Sequence, residues 1–305
     1  MKAEIKNKEQ NFVSAVVYVD KVDSNTLDFF GTLNACLNQH FMQYELIAVN
    51  SAEASHENAA LRDWAKGIDK PLTMIQMSLR QPHEQCMNAG LDISIGDYVY
   101  EFDSTDMPYD AGLIWEAYQT AMKGNDIVSV CPAQEKISSR LFYRIFNAHS
   151  NAEYKLRTDS FRLVSRRAIN RAHAISENLP YRKATYASCG LRMAELEFSG
   201  KIPAKKNDRL GLAVDSLTLY TDFGYKFSIG LTLCMFALTV LEFIYTLAIW
   251  IAGNPISGWT TTMFVLTLGL AGLFAISALA MKYLTLIVKL NFRKQDYMIE
   301  NVEKL

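Results

Sequence analysis

Between residues 12 and 131, short apolar runs rich in β-branched and aromatic residues alternate with stretches whose apolar positions recur every three or four residues. FVSAVVYV (12–19), ELIAVN (45–50), LTMIQM (72–77), DYVYEFD (97–103) and DIVSVC (126–131) are strand-length and bounded by polar or turn-forming residues. Such runs predict buried strands. Between them, helical spacing runs through Leu37, around 59–65, across 84–93 and across 111–121. Strand and helix in alternation predict an α/β fold, a mostly parallel sheet flanked by helices whose ligand sits at the carboxyl ends of the strands.

The pattern changes after residue 226. FSIGLTLCMFALTVLEFIYTLAIWI (227–251) contains one charge, Glu242, and at about 1.5 Å per residue exceeds the roughly 30 Å hydrocarbon core. GNPISG breaks it, and a second uncharged apolar stretch follows over 259–281. A two-helix transmembrane hairpin is expected, the alternative being two buried helices of a soluble bundle. Lys205, Lys206, Arg209 and Lys226 precede the first stretch, Lys282, Lys289, Arg293 and Lys294 follow the second, and the turn between has no cation. Basic flanks favour the cytoplasmic side, so both chain ends are expected there, in a bacterial-type inner membrane, with Trp250 and Trp259 at the outer interface. Glu242 calls either for a neighbouring helix or polar cavity or for protonation within the packing. The expected division is a globular domain over 1–203, an amphipathic juxtamembrane linker over 204–226, the hairpin over 227–283 and a cytoplasmic tail helix over 284–305. Apolar residues in 210–223 suit either an interfacial helix or a linker helix packed on its own domain.

Composition removes several function classes. With 31 Lys and Arg against 32 Asp and Glu, whole-chain charge gives no reason to expect a nucleic-acid partner. The five cysteines form no C-x-x-C pair and the five histidines are scattered, so neither a zinc site nor a disulfide framework is expected. The charged amino terminus has no cleavage-site character, and no secretory signal is expected. No G-x-S-x-G, P-loop or G-x-G-x-x-G stretch occurs, which argues against hydrolases, kinases and dehydrogenases.

Oxygen ligands concentrate in GDYVYEFDSTDMP (96–108), where a predicted buried strand delivers Asp103, Ser104, Thr105 and Asp106 to its tip. Mg2+ and Mn2+ prefer carboxylate oxygens and bridge to a diphosphate. A strand-end turn capping the next helix explains the same residues, and local sequence leaves both readings open. Asp20, Asn50 and Ser51 stand at the ends of other predicted strands, and Arg80 follows the third. Cations crowd residues 136–171, with Arg140 and Arg144 one turn apart on a predicted helix. Guanidinium groups bind phosphate bidentately, although surface duty explains each arginine as well. Arg166, Arg167 and Arg171 read as a solvated helix surface.

The order of elements, the stretches NAGLDISIGDYVYEFD (88–103) and DSFRLVSRRAI (159–169), and the closing hairpin together resemble family-two inverting glycosyltransferases of the polyprenyl-phosphate branch, such as bactoprenol glucosyltransferases and dolichyl-phosphate mannose synthases. The resemblance covers nearly the whole chain and implies a GT-A domain, a nucleotide-sugar donor, a polyprenyl-phosphate acceptor, a Mg2+ or Mn2+ ion, and a product used for surface polysaccharide or protein modification. It implies that Asp103, with Asp106, holds the metal and the donor diphosphate, while Asp20, Asn50, Ser51 and Arg80 complete the donor site. The family's second acidic position falls on Thr105, with Asp106 one place later, and its double-Asp motif after the second strand is replaced by Asn50 and Ser51. Its Gly-Asp-Phe-Arg-Leu motif appears as TDSFRLV, which makes Asp159 the candidate base, with Asp106 as a second catalytic acid. Arg140, Arg144 and Arg162 are the candidate acceptor-phosphate ligands. A catalytically silent membrane scaffold, or a transferase acting directly on a glycan or glycolipid, are the competing expectations. Side-by-side association of hairpins adds a homo-oligomer to the expected partners.

Overall fold

The computed structural model describes residues 8–50, 58–78, 80–150, 154–175, 181–200, 223–253, 257–291 and 297–305. The chain divides into a globular unit, 1–212 with 293–305, and a helical unit, 213–292.

In the globular unit the predicted alternation appears as β1 (Val13–Val19), α1 (Ser24–His40), β2 (Tyr44–Asn50), α2 (Asn58–Ala65), β3 (Leu72–Met77), α3 (His83–Ile93), β4 (Tyr98–Phe102), α4 (Gly112–Met122) and β5 (Ile127–Pro132). There follow α5 (Ile137–His149), β6 (Phe161–Ser165), α6 (Arg166–Ile175), α7 (Arg182–Ala187) and β7 (Met193–Phe198). The sheet order is β7-β5-β6-β4-β1-β2-β3, closed at the far edge by β8 (Ile299–Lys304). Strands β1 to β4 are mutually parallel where they pair, whereas β6 runs antiparallel to both β4 and β5.

Two apolar layers hold the helices to the sheet. Phe29, Phe30 and Leu33 of α1 and Ile114 and Tyr118 of α4 pack with Val17, Phe102 and Phe161 on one face. Cys86, Met87 and Leu91 of α3 and Ala168 and Ile169 of α6 pack with Val16, Ile47 and Ile75 on the other. Helix α3 lies so close to the sheet at Gly90 that a Cβ there would stand 2.4 Å from Val16 Cγ1 and 2.7 Å from Val49 Cγ2. Asp23 caps α1, its Oδ1 accepting from Thr26 N at 2.9 Å.

The tail departs from expectation. The last helix ends at Asn291, and the segment expected to continue as a helix to 305 instead forms β8, antiparallel to β3 with Ile75 opposite Val302. Met298 exchanges hydrogen bonds with the Gln81 side chain (2.9 and 2.7 Å), and Arg62 donates twice to Glu303 Oε2 (2.9 and 2.7 Å). A strand with one neighbour needs few apolar residues, so IENVEK carries little strand signal, and β3 gains a cover for its open edge. The globular domain thus extends beyond 1–203 to include this returning strand.

The helical unit consists of α8 (Phe223–Ile251) and α9 (Trp259–Asn291). Each contains a stretch long and apolar enough to cross a membrane, Ile229–Ile251 and Trp259–Leu284. Core helices of a soluble bundle would hide their leucines, yet Leu233 is 63% and Leu268 66% exposed. Thr239, Thr246 and Thr267 are buried, Phe243 meets Phe264 at 5.8 Å between ring centroids, and half-buried Glu242 falls on the stripe of Thr239 and Thr246. Gly253 (φ 77°) and Gly258 (φ 84°) supply the left-handed turns between the helices. The linker segment 210–222 lies outside the described residues.

Candidate active site

Strand register brings the predicted donor residues to one edge. Val19 is level with Asn50 and Val17 with Phe102, so Asp20, Asn50 and Asp103 leave neighbouring strand ends. Asn50 is fully buried, Asp20 is exposed, and Arg80 is exposed beyond the end of β3. Ser51 lies outside the described residues. Side chains two apart on a strand share a face, so Glu101 and Asp103 emerge together from the end of β4.

These two carboxylates are clamped by two buried arginines. Glu101 Oε2 accepts from Arg162 Nη1 (3.0 Å) and Arg182 Nη1 (2.6 Å), and Tyr186 Oη donates to its Oε1 (2.6 Å). Each guanidinium then reaches a different oxygen of Asp103, Arg162 Nη2 to Oδ2 (2.9 Å) and Arg182 Nη2 to Oδ1 (2.7 Å). Arg182 Nε completes a third bond, to Glu84 Oε2 of α3 at 2.8 Å. On the other flank Arg162 Nε donates to Asp159 Oδ2 (3.0 Å), and Lys183 donates to Asp159 Oδ1 (2.8 Å), Tyr143 Oη (3.3 Å) and the Arg157 carbonyl. His83 packs edge-on to Tyr18 and donates from Nε2 to the Asp103 carbonyl at 3.1 Å.

The network sets charge as well as geometry. Burial pushes the Asp103 carboxyl up, but Arg162, Arg182 and His83 outweigh it and hold it well below the ordinary range, so the group is ionised. Burial likewise raises Asp159, and Arg162 with Lys183 reverse the shift to a net lowering. Glu101 keeps a net upward shift because burial there exceeds the pull of Arg182 and Arg162. Four carboxylates (Glu84, Glu101, Asp103, Asp159) face three cations (Arg162, Arg182, Lys183), leaving one negative charge in excess before His83 is counted. Asp103 is the accessible member, its side chain 29% exposed against 0% for Glu101 and 6% for Asp159.

Several sequence expectations change in this light. Arg162, expected to meet an acceptor phosphate, is 3% exposed and commits its Nε, Nη1 and Nη2 groups to carboxylates. Asp159, the candidate base, has both oxygens engaged and a lowered pKa, which fits it to hold Arg162 and Lys183 better than to take a proton. Asp106 is exposed and accepts from Ser104 Oγ at 2.7 Å, while its own N–H donates back to that oxygen at 3.0 Å. Arg140 and Arg144 are exposed, one turn apart on α5. Arg166 is not a solvated surface residue: it is half-buried and donates to Gly96 O, Ser94 O and Ser94 Oγ at 2.8–3.0 Å. The residues that sequence reasoning missed are Glu84, Glu101, His83, Arg182 and Lys183. A glutamate within the apolar run VYEF was the available signal.

A divalent cation has a partial seat here. Among the described residues no three acidic, histidine or cysteine side chains group to hold a metal by themselves. Asp106 and Asp103, whose Oδ1 and Oδ2 already accept from Arg182 and Arg162, offer one or two carboxylates, which suits Mg2+ or Mn2+ when substrate phosphates and water complete the shell, and the single excess negative charge of the whole cluster fits an added cation.

No protein-family model matches the chain. In sequence it is similar to an uncharacterized glycosyltransferase of Bacillus subtilis (strain 168), YkcC, 22% identical over 204 residues. The match covers 62% of this chain and 62% of that protein, so it spans less than two thirds of the relative's length. Among solved structures, the mannosyltransferase PcManGT of Pyrobaculum calidifontis, in complex with GDP-Man and Mn2+, is 13% identical with a TM-score of 0.50, covering 92% of this chain and 88% of that one. Glucosyl-3-phosphoglycerate synthase of Mycobacterium tuberculosis, in complex with Mn2+, UDP-Glc and phosphoglyceric acid, is 12% identical with a TM-score of 0.50, covering 68% and 78%. The fold is of the GT-A type. In this GT-A sheet Asp103 lies just past the carboxyl end of β4, where open α/β sheets place their ligands.

Proposed function

We propose that the chain is an inverting glycosyltransferase that moves a sugar from a nucleotide-sugar donor to a membrane lipid acceptor, polyprenyl phosphate, at the cytoplasmic face of the membrane. The observation that carries this reading is the ionised, accessible Asp103 at the ligand edge of a GT-A sheet, fixed by Arg162 and Arg182. The transferases of similar fold that were solved with a nucleotide or nucleotide sugar and Mn2+, and the relative in Bacillus subtilis, support the donor class. The two apolar helices and their basic flanks support the membrane, the lipid acceptor and cytoplasmic chain ends.

Asp20, Ser51 and Arg80 bind the nucleotide, while Asn50, fully buried at the end of β2, supports that edge from beneath instead of meeting the base or ribose itself. Asp103, with Asp106, would hold Mg2+ or Mn2+, which supplies Lewis-acid stabilisation of the departing diphosphate. A phosphate acceptor is already anionic, so its oxygen attacks the anomeric carbon directly and no strong base is needed. Asp159 accordingly acts through Arg162 and Lys183, as a positioning residue. Arg140 and Arg144 offer exposed guanidiniums for the acceptor phosphate.

The test is release of nucleoside diphosphate by the purified protein in detergent, given Mg2+ or Mn2+, undecaprenyl phosphate and a panel of nucleotide sugars. Asp103→Asn, which keeps shape while removing the charge, should lower release at least 100-fold. No turnover with any donor, together with no nucleotide binding by calorimetry, would replace this reading with a silent membrane scaffold. Turnover only with glycan or glycolipid acceptors would keep the transferase and discard the polyprenyl phosphate.

A further inference from the structure

Strand β3 ends at Met77 and α3 begins at His83, with no side-chain cap from Pro82 before it. The stretch between them, which carries Arg80, is held from the far end of the chain. Ser78 donates to the Met298 carbonyl from both its N–H and its Oγ (3.1 Å each), and Gln81 Nε2 donates to the same oxygen at 2.7 Å. Gln81 Oε1 in turn accepts from Met298 N at 2.9 Å. A primary amide has both a donor and an acceptor, so this one side chain satisfies the whole peptide group of Met298 as a neighbouring strand would.

Met298 contributes backbone alone, its side chain being 65% exposed. Tyr297 and Ile299 on either side turn inward, as strand alternation requires, and pack against the layer that holds Ile75, Cys86 and Met87. Tyr297 Oη also donates to Asp92 of α3. The segment 297–299 is thus anchored independently of the residues it grips. The ladder between β3 and β8 ends with Met77 opposite Ile299, so the bonds from Ser78 and Gln81 lie past its last rung, where covering the sheet edge does not call for them. At the other end of the stretch, His83 is fixed by the Asp103 carbonyl (3.1 Å) and by the ring of Tyr18 (4.4 Å between centroids).

We propose that the returning segment 297–299 is part of the donor site, and that Gln81 is a positioning residue which, by clamping Met298, holds Arg80 at the ligand edge to meet the donor's diphosphate. The inference rests on the nucleotide-sugar reading given above. A long guanidinium side chain binds well only if its backbone is fixed in advance, because otherwise the ordering cost is charged to the ligand.

The experiment is a double-mutant cycle on the full chain in detergent, with UDP and GDP as probes in the presence of Mn2+, read by calorimetry. Gln81→Ala and Arg80→Ala should each weaken the better-bound nucleotide about 5- to 10-fold, and the double variant should bind no worse than Arg80→Ala alone. Gln81→Glu, which keeps the shape but sets a carboxylate against the Met298 carbonyl, should reproduce the loss. Hydrogen exchange, which needs no nucleotide, should be several-fold faster in peptides spanning Ser78 to Gln85 of Gln81→Ala. Unchanged exchange overturns the clamp. Unchanged affinity in Gln81→Ala, or losses that add in the double variant, overturn its action through Arg80 while leaving the donor reading intact. Binding of neither nucleotide by the parent overturns the donor reading and this inference together.

Discussion

Arg182 is the residue whose removal tests the charge network most severely. Its side chain is 0% exposed and its three nitrogens serve Glu84, Glu101 and Asp103. Arg182→Met fills similar volume but takes the cluster from one excess negative charge to two. Glu101 retains Arg162 and Tyr186, and Asp103 retains Arg162, while Glu84 loses its charge-assisted bond. Breaking a buried pair by removing one partner costs about 3–5 kcal/mol. For a domain of this size that lowers the midpoint of thermal unfolding by roughly 6–20 °C. Fluorescence of Trp64 and Trp115, both packed against the main core, reports the globular transition in detergent. The pH dependence carries a sign. Glu101 already has a raised pKa, and losing Arg182 raises the stranded carboxylates further. Groups whose folded pKa exceeds the unfolded value destabilise the fold as pH climbs through the folded value and cost nothing below the unfolded one, near 4.3 for Glu. The deficit of the variant should therefore be larger at pH 8 than at pH 5. Arg182→Lys, which keeps charge but offers one ammonium for three acids, should lose less. A midpoint within about 2 °C of the parent, or a deficit independent of pH, would refute the clamp as a stabilising element.

Acid should act oppositely on the parent protein: the lowered pKa values of Asp103 and Asp159 give stability that is complete above the unfolded value, near 3.9, and lost as pH falls toward the folded ones. Unfolding midpoints measured from pH 6 to pH 3 should show this loss, and Asp159→Asn should shrink it. Deleting 297–305 uncovers the β3 edge and should raise the mass seen in size-exclusion chromatography with light scattering above that of the parent, whereas an unchanged oligomeric state in detergent would count against β8 as an edge cover. Burial pushes the Cys86 thiol up to about 11 and the Cys131 thiol up to about 12, so neither should react with an aromatic disulfide reagent at pH 8 until the protein is unfolded.

The alternation that defines the fold was legible because strands buried on both faces leave uninterrupted apolar runs, and α1 to α4 kept their helical spacing. The position of Asp103 was legible because DYVYEF reads as a strand and Asp103 follows it directly. Arg182 and Lys183 were not: in YRKATY two adjacent cations look like a solvated turn, and their burial follows from acids contributed by α3, β4 and the segment before β6, far away in sequence. Arg162 misled for a related reason, since a guanidinium suits a ligand phosphate and a buried carboxylate equally well. Glu101 was the overlooked clue, because a charge within VYEF has to be neutralised inside the fold. β8 was hidden by its edge position.

The return of the chain to β3 after the apolar helices has a topological cost that constrains the molecule's biogenesis. The sheet is discontinuous in sequence, its last ladder formed by residues made after both hydrophobic helices, so its border stays unzipped until the ribosome has passed residue 304. If those helices cross a bilayer, only an even number of crossings can bring β8 back to its neighbour, and inserting a third span would strand it on the opposite side.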